Sequence, residues 1–367
     1  MKEGKTICVF IPSLGAGGAE KQSRLLTKAL QDTHTTYLFV LGNQSELSNQ
    51  FREEAEKQFQ LHLLTGGIIS KALYFIRFAR QHKVDVILSH LPSDTMFAAI
   101  FGRIAGVKHV FGGLRNAWID GYKRVLLKIM HNHLLDYSIS NSYAGKSYLT
   151  THGFKEKKIL VKHNGIEITR DRIYREEKEV VNIVTVARFV PQKDYHTALK
   201  TIAHVVNAYP LNSSILYHIV GFGEQEAQIR AWIKDYQLEE YVKVHIRPKY
   251  LPELMEQADI YFSSSLFEGI ANSMMEAMMY SLPLVATDAG DSRYLVETND
   301  NGFITELKDV ESMAARLYEL ISSADLRQQM GGRSYERISE EFSYEAFQKK
   351  YLQLIDSLDS SEPIPNH

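Results

Sequence analysis

The sequence predicts an α/β protein of two doubly wound domains, each a parallel sheet clothed by helices on both faces, facing one another across a crevice. Three observations carry this expectation. At 367 residues the chain is longer than the roughly 250–300 residues at which a single core usually stops growing. Short apolar runs alternate with segments of helical period, as strands buried on both faces and their covering helices do. The rhythm breaks over 170–180, a charged stretch poor in apolar residues, and then starts again.

The elements follow in order. Residues 6–11, TICVFI, read as a buried strand, 19–30 as an amphipathic helix and 36–41 as a second strand. A helix is expected over 68–81, a strand over 84–89, a helix over 95–104 and a strand over 108–111. After the break come a strand at 181–187, a helix at 195–207, a strand at 214–220, a helix at 224–236 and a strand at 242–246. Residues 259–263 read as a strand, 273–280 as a helix, 284–287 as a strand and 310–321 as a helix, with more helix in the tail to about 358. The boundaries that result are 1–170, 171–340 and a tail of 341–367. Two such sheets would turn the carboxyl ends of their strands toward a shared crevice.

Composition narrows the function. An apolar fraction of 44% supplies packed cores and excludes a disordered chain. The single cysteine, Cys8, cannot form an internal bridge, and no zinc-ligand spacing is present, so a reducing cytoplasmic setting is expected. No run approaches the ~18–20 apolar residues that span a bilayer, and the first apolar stretch is too short for a signal peptide. The protein is expected to be soluble or to sit on a membrane surface. Net charge is −2, yet residues 1–170 hold 23 basic and 13 acidic residues against 19 and 31 in the remainder. This asymmetry suits two units with different neighbours; two ordinary solvated surfaces are the alternative. No nucleic-acid partner is expected.

The first strand leads into Gly15-Ala16-Gly17-Gly18-Ala19-Glu20. Glycines between strand and helix let backbone amides approach a phosphate or sugar. It is not a dinucleotide fingerprint, because Glu20 occupies the third glycine position and no acidic residue closes the second strand. Gly221-Phe222-Gly223 fails likewise, with Glu226 in third place. Either loop alone is more often a tight turn than a site. Arg188 and Lys193 follow the strand at 181–187, with Pro191 between them. Two cations at a strand's carboxyl end suit a diphosphate, although solvated surface cations explain them equally well. The most specific stretch runs from Phe267 through Glu268, Gly269, Ile270, Ala271, Asn272 and Ser273 to Met274, Met275, Glu276 and Ala277. Glu276 is expected in the first helical turn, where Ser273 and Glu276 could be no more than a capping box. Met274, Met275, Met278 and Met279 read as core. Eight helical residues would hold Glu268 and Glu276 ~12 Å apart, too far for a pair of hydrolytic carboxylates, which sit ~5–9.5 Å apart.

These stretches together resemble the family 4 retaining glycosyltransferases of the GT-B fold. The resemblance is carried by GAGGAEKQ, ISNSYAGKSYLTTHGF, KHNGIE, VARFVPQKDY, HIVGFGEQ and FEGIANSMMEAMMYSLPLVATDAGDSRYLVE, in that order. It implies a nucleotide-diphospho-sugar donor, UDP-linked, held mainly by the C-terminal domain. Arg188 and Lys193 would hold the diphosphate, Glu268 the sugar hydroxyls and Glu276 the ribose hydroxyls. The amides of Gly269, Ile270, Ala271 and Asn272 would help hold sugar and phosphate, with Gly17 and Gly18 approaching from the other domain. Arg247 and Pro248 would pass near the base, and the tail helix would cross back to the N-terminal domain. The family's histidine after the strand at 108–111 is replaced by Arg115, followed by Asn116. A fixed cation cannot serve as a base, but it can stabilise a departing diphosphate or anchor an acidic acceptor. His90 is a further acceptor-side candidate, although a lone histidine is more often structural.

No D-x-D occurs in the chain, so no metal and no cofactor are expected, and positive side chains with helix N-termini would neutralise the leaving group. The resemblance implies front-face displacement with retention, in bacterial surface polysaccharide or glycolipid assembly. The acceptor would be a sugar or a lipid-linked sugar. A sugar-nucleotide epimerase and a non-catalytic sugar-nucleotide-binding partner subunit are the alternatives. Two basic stretches with apolar company, 69–83 and 122–128, suggest that the N-terminal domain meets an anionic membrane at its inner face.

Overall fold

The computed structural model describes residues 4–15, 17–42, 48–115 and 121–359. The chain forms two compact units, one of residues 1–166 with 344–367 and one of 167–343.

The first unit holds seven parallel strands: β1 (Thr6–Ile11), β2 (Thr35–Val40), β3 (Gln60–Leu63), β4 (Val86–Ser89), β5 (His109–Gly113), β6 (Tyr137–Ser140) and β7 (Ile159–Val161), in the order β3-β2-β1-β4-β5-β6-β7. β1 shows why these runs are apolar throughout. Ile7, Val9 and Ile11 enter the core on one face, whereas Cys8 and Phe10 enter a separate core on the other. A central parallel strand has no solvent face, so its sequence does not alternate. The tail helix Tyr344–Ser357 completes the first of these cores with Phe347, Tyr351, Leu354 and Ile355.

The second unit holds six parallel strands: β8 (Val180–Val186), β9 (Ser214–Gly221), β10 (Val242–Ile246), β11 (Ile260–Ser263), β12 (Leu284–Thr287) and β13 (Gly302–Thr305), in the order β10-β9-β8-β11-β12-β13. Helices Tyr195–Ala208 and Val310–Ser322 pack together over one face, where Leu199, Ile202, Leu317 and Leu320 meet Ile183, Ile219 and Phe262. In both sheets the chain winds outward from its first strand and then returns to that strand's other side. The switch points therefore lie between β1 and β4 and between β8 and β11, where ligands of such sheets bind.

Several elements depart from expectation. The helix expected over 95–104 starts earlier, at Pro92–Phe97, continues as a π-helical turn at Ala98–Gly102 and ends at Arg103–Ala105. Asp94 sets the early start by accepting the amides of His90 (2.6 Å) and Leu91 (2.9 Å). The charged stretch 170–180 clasps the second unit. Arg175 donates to the carbonyls of Ala258 (2.6 Å), Tyr280 (2.7 Å) and Ser281 (2.9 Å), capping chain ends that no helix satisfies.

Candidate active site

The second unit's switch point is built from the loops that follow β8 and β11. The first turns through a 3-10 helix, Pro191–Lys193, and Asp194 then caps helix Tyr195–Ala208 at a left-handed φ of 46°, its carboxylate accepting the Thr197 amide at 3.3 Å and the Thr197 hydroxyl at 2.6 Å. The second loop is stitched to it. The Leu266 amide donates to the Gln192 carbonyl (2.8 Å), Gln192 Nε2 to the Phe267 carbonyl (2.7 Å), and Ser264 Oγ to the carbonyls of Lys193 (3.0 Å) and Asp194 (2.9 Å). This stitching brings Lys193 Nζ into an ion pair with Glu268. The pair is mostly sheltered, with 14% and 11% of the two side chains exposed. Arg188, five residues earlier and just past β8, is exposed and has no ion-pair partner among the described residues.

Behind Glu268 stands Gly290, at a left-handed φ of 61°. A Cβ there would overlap the Glu268 carbonyl oxygen, so only glycine lets the loop after β12 approach so closely. The Asp291 amide donates to the Gly269 carbonyl at 3.1 Å. Gly269 is half-buried and Ile270 buried, and Ala271 is the N-cap of helix Asn272–Met279 without a side-chain cap bond. The capping-box reading of Ser273 and Glu276 therefore fails. Ser273 lies inside the helix, and its hydroxyl accepts from Tyr261 at 2.8 Å. Glu276 is the fifth helical residue, half-buried, in the second turn rather than the first. Met274, Met275, Met278 and Met279 are all buried, as core methionines are.

At the neighbouring strand ends, Gly221 and Gly223 lie hard against the backbone of Ala187 and Phe189. Phe222 is exposed and carries the Arg247 guanidinium 3.9 Å above its ring. Arg247 sits at a left-handed φ of 44°, its amide donating to the Gly221 carbonyl at 3.2 Å, with Pro248 half-buried beside it. An exposed cation-on-ring platform at the carboxyl end of β9 and β10 can stack on a planar group.

In the first unit, Gly17 is the exposed N-cap of helix Gly18–Gln31 and has no side-chain cap bond. His90 follows β4 and is 1% exposed, with neither ring nitrogen hydrogen-bonded among the described residues. Burial drives its pKa well below the ordinary value, and the nearby Arg115 cation adds to this; the Phe10 backbone acts the other way and is the smallest influence. Arg115, just past β5, donates to Asn164 Oδ1 at 3.0 Å and to the Tyr351 hydroxyl at 3.4 Å. Asn116 lies outside the described residues. Asn164 and Tyr351 were not singled out from sequence. The first belongs to the KHNGIE stretch that carries the resemblance, while the second had no signal beyond its place in the tail.

Two family models match in tandem and meet where the chain passes from one unit to the other. "Glycosyltransferase Family 4" matches residues 16–170, and "Glycosyl transferases group 1" matches 167–337. The chain belongs to glycosyltransferase family 4. This glycosyltransferase is 24% identical over 355 residues to the putative colanic acid biosynthesis glycosyltransferase WcaL of Escherichia coli K12, covering 90% of this chain and 86% of that one. It is 24% identical over 298 residues to the amylovoran biosynthesis glycosyltransferase AmsD of Erwinia amylovora, covering 78% and 82%. Its fold matches Anabaena HepE crystallised with UDP-glucose, with a TM-score of 0.81 at 19% identity over 96% of this chain and 99% of the other. The fold is GT-B, and the protein is an enzyme rather than a non-catalytic partner.

Proposed function

We propose that this glycosyltransferase moves a sugar, with retention, from a UDP-sugar to a hydroxyl of a growing bacterial surface polysaccharide or glycolipid. The observation that carries the reading is the sheltered Lys193–Glu268 pair at the switch point of the second sheet, with Arg188, five residues before Lys193, exposed and without an ion-pair partner among the described residues. Arg188 and Lys193 bind the diphosphate, a planar fork and a point charge for two phosphoryl groups. Lys193 leaves Glu268 free to accept hydroxyls of the donor sugar when the phosphate draws the ammonium away. The amides from Gly269 to Asn272 line the approach to the helix N-terminus, and Glu276 accepts the ribose hydroxyls. Phe222 and Arg247 flank the base.

Charge develops on the departing diphosphate as the glycosidic bond breaks. Cations aimed at that charge lower the barrier, and they replace a metal ion in this role. The acceptor hydroxyl then attacks from the face the diphosphate leaves, its proton passing to a phosphate oxygen. Colanic acid and amylovoran, named for the relatives, and the UDP-glucose in the structural neighbour favour polysaccharide assembly with a uridine donor. Proton NMR of the first product, formed in EDTA from an α-linked UDP-sugar, tests the reading. An α-anomeric product supports it. A β product, or turnover only after manganese is restored, contradicts it.

A further inference from the structure

Three consecutive helical segments of the first unit, Ile68–Gln81, Pro92–Phe97 with its continuation to Ala105, and Gly121–His133, connect β3 to β4, β4 to β5 and β5 to β6. These crossovers all run the same way across the sheet, and right-handed crossovers place such helices on one face. Their inward residues agree, because Phe75, Phe78, Phe97, Ala99 and Met130 pack into one cluster with Phe10. Their outward residues are poorly matched to water. Ile69 is 73% exposed and Leu73 64%. Ile104 on the second segment is 53% exposed, and Val125 and Ile129 on the third are 51% exposed each. Of the 18 exposed large apolar side chains among the described residues, ten stand on these three segments, a concentration rather than a scatter.

The charge on the same helices is one-sided. They carry seven lysines and arginines, of which Arg103 pairs with Asp136 at 2.7 Å, and a single acid, Asp94, which is fully buried. A second copy of this chain would bring the same positive charge and be repelled, whereas an anionic lipid surface offers phosphates for the cations and an acyl boundary for the isoleucines and leucines. We propose that this three-helix face docks the enzyme on an anionic bilayer. The proposal deepens the reading above by placing the enzyme where a lipid-linked acceptor is presented, and it rests on that reading for this consequence alone.

Flotation of the full chain with vesicles of phosphatidylglycerol and phosphatidylethanolamine, against phosphatidylcholine alone, tests the docking. Wild type is expected to float with the anionic vesicles only, and less as salt rises. Each cation near such a surface contributes about fivefold in affinity, the equivalent of ~1 kcal/mol, so Arg77→Glu with Lys123→Glu should weaken binding by roughly 25-fold or more. Ile69→Ser with Val125→Ser should weaken it while leaving the salt dependence in place. Circular dichroism and thermal shift with UDP on each variant establish that the fold is kept. No flotation at low salt, both double variants floating like wild type, or a stable dimer lost on Ile69→Ser with Val125→Ser overturns the docking. A wild-type chain that binds UDP but no vesicle overturns the docking alone, whereas one that floats yet binds no UDP keeps the docking and overturns the site.

Discussion

Arg115 hydrogen-bonds the neutral Asn164 and Tyr351, and the buried Asp94 carboxyl acts on it only through space and more weakly. Burial pulls its pKa down from the ordinary arginine value, but a guanidinium so far above neutrality stays charged. His90 beside it is held neutral at pH 7 by burial first and by Arg115 second. Arg115→Ala should therefore lower kcat by about 10–100-fold, the loss of one charge-assisted contact of ~1.5–3 kcal/mol, while UDP affinity of the second unit stays within about twofold. The same change removes a cation from His90, so its imidazole should titrate at higher pH by NMR yet stay below the ordinary histidine value, since burial remains. Unchanged turnover and an unmoved His90 titration would return Arg115 to a clasp for the tail helix. Ser273 and Glu276 have capping-box spacing, but the helix begins at Asn272, so Ser273 points to Tyr261 instead of an orphan amide. Spacing alone does not say where the first helical turn falls.

Strands and helices with strong apolar runs were legible because burial on both faces leaves them little choice of residue: β1 and β12 fall at 6–11 and 284–287 as expected. Of the strands that escaped, β3 (QLHL) is a half-exposed edge strand, and the other three have buried positions that are polar, short or bare. β6 reads YSIS, and its inward Ser138 and Ser140 are buried only because His131 Nδ1 (2.8 Å from Ser138 Oγ) and the Ser142 carbonyl (2.9 Å from Ser140 Oγ) satisfy them. β7 is three residues long, and β13 opens on Gly302, which packs bare against the Leu284 backbone. The Gly290 turn after β12 was likewise invisible as a determinant of the site. Gly290→Ala places a side chain at positive φ and against the Glu268 carbonyl, at a cost above the ~1–2 kcal/mol of the left-handed conformation alone. A fall of about 4–8 °C in Tm is expected, with a loss of kcat/KM greater than that from Gly106→Ala. Gly106 has a φ of 87° with no neighbour near its Cβ position, so it carries the strain without the site. Equal activity in the two variants would show that the loop after β12 does not set Glu268.

At the scale of the molecule, the two doubly wound units, their alternation and the restart after 170–180 were all readable, because parallel sheets impose one pattern on the whole chain. The clasp formed by Arg175 was not, since an arginine that caps three carbonyls looks in sequence like any solvated cation. The second unit is expected to hold a UDP-sugar through Arg188, Lys193 and Glu268 without a metal. Calorimetric titration in EDTA with UDP, and with UDP-glucose, UDP-galactose and UDP-N-acetylglucosamine, tests this most directly. Wild type should bind UDP and at least one of the sugars. Arg188→Ala should weaken both by about 10–100-fold, as loss of a charge-assisted hydrogen bond does, whereas Glu268→Gln should weaken the preferred UDP-sugar and leave UDP itself nearly unchanged. UDP binding that requires manganese, or that is indifferent to Arg188→Ala, would contradict the account.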